Sequence, residues 1–271
     1  MNNYKISALG RPVDLSYASN KRIAQIAPAG FLLYFIYSQD IWLSLLFAAN
    51  LFLVWALNRE LDPDNHTAAV LSVLLYGLLS PFIDLNTSLL TLFWLLLLLR
   101  SLSLCVGLTI LISDYLLIAV FSVIIARQNE HPLFLIMTFI AFLYIWFARR
   151  EKNIYGGLLV TAAGLIWFCL APFTGPYFYI SGDIMYFATL FVSILFLWWI
   201  LQNKAPESYD DQGKEPIMQI RLLVSQYFFL LYTLIVNHVP FMADQKLLLT
   251  CVMAGSLLIA IYPFFSKRIQ R

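Results

Sequence analysis

Ten apolar runs follow one another along this chain, separated only by short polar breaks: 23–38, 41–58, 67–82, 86–103, 105–126, 132–148, 154–172, 182–201, 218–237 and 246–264. At 1.5 Å per residue, about 20 apolar residues in a helix cross the ~30 Å hydrocarbon core of a bilayer. The pattern predicts an all-α fold, a polytopic transmembrane helix bundle of about ten spans. The first three runs are short; 16 residues reach only about 24 Å. Local thinning of the bilayer covers that deficit. Alternatively, the first two runs form a re-entrant hairpin, leaving eight full crossings and an unchanged orientation for the rest.

Charge content excludes the alternatives. Only 12% of the 271 residues are charged, against roughly 25% in soluble domains. That is too little to cover a water-facing surface of this length. A net charge of +2 is too small for a nucleic-acid partner. The expected partners are the lipid bilayer and other membrane subunits. Cys105, Cys169 and Cys251 sit in apolar context without metal-ligand spacing and read as small buried hydrophobes. The N-terminal stretch has no apolar segment close behind its first charges, so the first span is expected to stay in the mature protein.

Orientation follows from the basic residues. With the N-terminus inside, only Arg127 and Lys246 of the 17 Lys and Arg fall in outer turns. The expected organisation is a cytoplasmic segment at 1–22, one integral membrane domain at 23–264, and a cytoplasmic basic tail at 265–271. Both termini are then inside. An inner loop at 202–217 separates spans 8 and 9 and is too short to be a soluble domain. The expected location is a cell membrane, with a bacterial inner membrane the best fit. Each outer turn holds one acid: Asp40, Asp84, Glu130, Asp183 and Asp244. Carboxylates ahead of a span can cap its free N–H groups.

Two polar features stand out. "NRELDPDN", 58–65, packs Glu60, Asp62 and Asp64 into five positions. Carboxylates at this density can hold Mg²⁺ beside a substrate phosphate. The stretch slightly resembles the Asn- and Asp-rich motif that aromatic-acceptor intramembrane prenyltransferases carry between spans 2 and 3. That family has a second Asp-rich loop between spans 6 and 7. Here the loop is "ARREKN", with one acid, Glu151, so the family is not assigned. The plainer reading is a polar turn: Pro63 breaks the chain, Asp64 or Asn65 caps span 3, and Arg59 pairs with Glu60 or Asp62.

The second feature is Asp114, inside the fifth run, about 14 Å in from Cys105. A buried intramembrane acid marks a proton or substrate path by default. Arg100, Ser113 or Tyr115 could hold it. Asn50 and Gln226 are further polar groups within spans, read as interhelical hydrogen-bonders or members of that path. Gly157, Thr161 and Gly164 share one helical face, predicting close packing and a central seventh span. His66, His131 and His238 lie on different sides and cannot form one metal site.

Three functions fit. The first is a permease- or flippase-type carrier for a small or amphipathic, lipid-linked molecule, needing no cofactor. The second is a non-catalytic membrane subunit or scaffold. The third is a membrane-embedded transferase using the 58–67 loop, which alone calls for Mg²⁺. On balance the chain does not read as an enzyme.

Overall fold

The structure is a computed structural model describing residues 7–10, 15, 18–82, 88–105, 107–170, 182–202, 205–209, 215–239 and 243–269. Among these are ten α-helices: α1 (Ala18–Ser38), α2 (Ile41–Leu61), α3 (His66–Leu79), α4 (Leu89–Ser103), α5 (Ile112–Gln128), α6 (Leu133–Arg149), α7 (Tyr155–Leu170), α8 (Ile184–Gln202), α9 (Gln219–Asn237) and α10 (Ala243–Ile269). Each apolar run maps onto one helix, though the boundaries differ, most of all in the fifth. The segments Ile41–Leu61, Lys152–Leu170, Ile184–Gln202 and Gln219–Asn237 are long and apolar enough to cross a membrane. The chain is therefore a helical membrane protein.

The fifth helix differs from expectation. It begins at Ile112, so residues 107–111 form a connection rather than the first turns of a span. Leu104 takes a left-handed conformation at φ 54° and Gly107 at φ 69°, which ends α4. Asp114 then accepts the Leu111 N–H at 3.1 Å and starts α5 from inside its first turn. The break is invisible to hydropathy because the connection is itself apolar.

Helices α2, α4, α9 and α10 form the centre. α4 packs on α2 and α9 on one side and on α5 and α6 on the other. Leu92, Trp94, Leu95, Leu98 and Leu99 are completely buried. Helix α10 packs on α3, α8, α2 and α9. The α3–α10 contact is close because of Gly255: a Cβ there would lie 2.6 Å from the Ala68 carbonyl oxygen and would collide with the Ser72 hydroxyl.

Helices α5, α6 and α7 pack on one another, and their extensive contacts with the rest run through α4. Trp94 is the joint. Its ring stands edge-on to Phe134 of α6 at 5.4 Å, and its Nε1–H donates to Thr138 Oγ1 at 3.1 Å. On its other side it meets Tyr232 of α9 at 5.8 Å.

α7 is not central. It packs on α5 and α6, and its buried residues are Gly157, Thr161 and Gly164. The small-residue face was legible; its place in the bundle was not. Small residues report a close contact but not how many neighbours a helix has.

Candidate functional site

At one end of the bundle the connections α2–α3, α4–α5, α6–α7 and α8–α9 meet residues 7–9 in a polar layer. Its centre is a buried ion pair. Arg100 of α4 donates from Nε to Glu60 Oε1 of α2 at 2.8 Å, with the side chains 10% and 1% exposed. Arg100 Nη1 also donates to the Leu9 carbonyl at 3.1 Å. Burying both partners costs desolvation, offset only if each finds good geometry. Sequence reading paired Arg59 with Glu60 or Asp62. Glu60 turns inward to Arg100, while Arg59 donates to the Pro63 carbonyl at 2.7 Å, contacts His66 and stays close enough to Asp62 to favour its ionised form.

Asp114 joins this layer from α5. It is 2% exposed. Its Oδ1 accepts Ser7 Oγ–H at 2.5 Å, and Oδ2 accepts the Ala8 N–H at 2.9 Å and the Leu111 N–H at 3.1 Å. It therefore sits at the helix start and not half-way through a span. Its hydrogen bonds run to residues 7, 8 and 111, while two of the expected partners turn elsewhere, Arg100 to Glu60 and the Tyr115 hydroxyl to Glu151. Ser7, Ala8 and Leu9 thus carry one chain of contacts from Asp114 on α5 to Arg100 on α4 and Glu60 on α2.

Gln226 of α9 reaches the same layer, donating from Nε2 to the Leu61 carbonyl at 2.7 Å. Asn50 is fully buried, but it lies ten residues before Glu60, about 15 Å away along α2. The structure therefore brings together Glu60, Arg100, Asp114 and Gln226 and leaves Asn50 elsewhere.

The other two acids of the loop turn to other partners. Asp62 accepts Asn65 Nδ2–H at 2.8 Å. Burial pushes its carboxyl up to about 6, partly opposed by that hydrogen bond. Asp64 accepts the Glu207 N–H at 3.1 Å, the Ser208 N–H at 2.9 Å and the Ser208 hydroxyl at 2.5 Å. It pins the base of the α8–α9 loop, where Ile217 N–H returns to the Ser208 carbonyl at 3.1 Å. Asn65 is the N-cap of α3 without a side-chain capping bond, so the predicted cap is absent. Among the described residues, no three His, Cys, Asp or Glu side chains stand close enough to hold a metal.

Sequence reading missed Asn58, placed at the very end of a span. It is fully buried, and Nδ2 lies within hydrogen-bond reach of Ser72 Oγ at 3.0 Å, the Val252 carbonyl at 2.9 Å and Ser256 Oγ at 3.0 Å. It ties α2 to α3 and α10. The two serines, on helices distant in sequence, gave no local signal.

At the opposite end, two of the expected capping acids do cap. Asp40 accepts the Trp42 and Leu43 N–H groups at 2.7 and 3.1 Å, and Asp183 accepts the Tyr186 N–H at 2.5 Å. Asp84 lies outside the described residues, as do Lys5, Arg11, Lys204, Lys214 and Arg271; of Asp244, Lys267 and Arg268 only the backbone is described. Cys105 and Cys251 are buried, whereas Cys169 is exposed on α7. Compared with known protein families, curated proteins and solved structures, the chain matches none.

Proposed function

We propose that this protein is a carrier for a small or amphipathic molecule, and that the polar layer is its closed inner gate. The supporting observation is the bridge made by residues 7–9. It couples Asp114 to the Glu60–Arg100 pair across two groups of helices that otherwise meet through α4. Carriers move one helix group against another around a fixed joint. A joint at Trp94 and a breakable polar latch at one end suit that motion. In this reading all ten helices cross, both termini lie in the cytoplasm, and the membrane is a bacterial inner membrane. Arg59, Arg100, Arg149, Arg150 and Lys152 then share the latch end, as the positive-inside rule asks.

A second reading, a non-catalytic membrane subunit, is favoured by the burial of most of α4, from Trp94 to Ser103, and of most of the C-terminal half of α2. Thiol accessibility separates the two. In a variant with the native cysteines replaced, Gln226→Cys should react with a membrane-impermeant reagent from the cytoplasmic side, and faster once Glu60→Gln opens the latch. Protection from both sides in both backgrounds would favour the subunit.

A further inference from the structure

A cleft of about 160 Å³ opens at the latch end, between the α4–α5 connection, the α6–α7 connection and the start of α9. It is roughly ten times the ~15 Å³ of the same measure that one water needs. Its polar wall includes Ser103, Thr109, Glu151 and Arg221, and its apolar wall Leu108 and Met218.

Arg149 does not line the cleft but sits directly behind its wall, next to the lining Glu151, with its side chain 6% exposed. Nη2 donates to the Leu102 carbonyl at 2.5 Å, beside Ser103. Among the described residues, Nε and Nη1 have no hydrogen-bond acceptor. The nearest carboxylate, Glu151, is 3.7 Å away and already accepts the Tyr115 hydroxyl at 2.5 Å. Arg221 is near enough to repel Arg149. Two guanidinium groups that repel each other, one with spare buried N–H groups, mark a place for an oxyanion. Glu215, on the exposed rim of the cleft, supplies a negative charge farther out.

We propose that this cleft binds the phosphoryl group of a phospholipid, with the headgroup's ammonium directed to Glu215. The phosphate lies towards Arg221 and Arg149, and the acyl chains leave over Leu108 and Met218. Basic pockets between membrane helices hold headgroups in this way. A zwitterionic ethanolamine headgroup satisfies both signs of charge, whereas a glycerol headgroup leaves Glu215 facing no cation. The assignment does not depend on the carrier reading, because a bound lipid need not be cargo.

Native mass spectrometry of the purified full-length protein tests it, with phosphatidylethanolamine, phosphatidylglycerol and inorganic phosphate titrated separately. The wild type should retain phosphatidylethanolamine in preference to phosphatidylglycerol. Arg221→Gln should weaken retention about tenfold, as for loss of one charge-assisted hydrogen bond. Thr109→Phe, which fills the cleft without removing charge, should also reduce it. Glu215→Gln should remove the preference between the two lipids. Unchanged retention in folded Arg221→Gln or Thr109→Phe would overturn the site. Displacement of lipid by millimolar inorganic phosphate would overturn the lipid and leave a soluble oxyanion.

Discussion

Replacing either partner of the Glu60–Arg100 pair should destabilise this protein far more than replacing both. The pair is buried on both sides, with a single Nε–Oε1 contact of 2.8 Å. Removing either member breaks a buried charge pair in a site with little water. That typically costs about 3–5 kcal/mol, whereas replacing both with apolar groups of similar volume is often neutral. Arg100 has the Leu9 carbonyl as a second acceptor, which a neutral partner at position 60 does not replace. Glu60→Met and Arg100→Met should therefore each lose about 3 kcal/mol or more, and the double variant should return to within about 1 kcal/mol of wild type. The assay is equilibrium unfolding of purified protein in mixed micelles, with all four members of the cycle measured together. Additive losses below about 1 kcal/mol each would mean an exposed pair of little consequence, and the latch would lose its physical basis.

Asp62 gives a pH test. Its carboxyl titrates near 6 in the folded protein and near 3.8 unfolded. The folded state binds that proton more tightly, so the stabilisation is full below about pH 4 and is lost as pH rises through about 6. Asp62→Asn should raise the melting temperature at about pH 7.5 and leave it unchanged at about pH 4; equal shifts at both would refute the assignment. Gln39, just past α1, sits at φ 57°, where a side chain costs about 1–2 kcal/mol. Gln39→Gly should raise thermal stability, and a fall would contradict the left-handed cap. Asp64→Ala should free residues 205–209, read as faster amide exchange there with α3 unchanged. Single cysteines at Asp183 and Ser208 should label from opposite faces of the membrane; labelling from one face would reject the orientation.

The positions of most helices were legible because their apolar runs are bounded by polar turn residues; the fourth and fifth runs, which abut at Leu104, are the exception. Asp40 and Asp183 cap as their place ahead of a run implies. The site was only partly legible. Glu60, Arg100, Asp114 and Gln226 could be picked out as polar groups in or beside apolar runs, but their pairing depends on which helix ends converge. Arg100 meets a carboxylate forty residues earlier on α2, not the one fourteen residues later on α5. Nor could the sequence rank α4 and α7 by burial. Lipid accepts the same apolar side chains as a protein core, so hydrophobicity loses its inside–outside meaning in a membrane. The break at Leu104–Leu111 was hidden for the same reason.

The central claim is that α5–α7 move as a unit about α4 when the polar latch opens. Double electron–electron resonance between spin labels at Leu159 on α7 and Leu231 on α9, both exposed, measures this directly in lipid nanodiscs. Two distance populations are predicted, with Glu60→Gln shifting the weight from one to the other. A single narrow distribution, the same in wild type and Glu60→Gln, would contradict a moving carrier and leave a rigid membrane subunit.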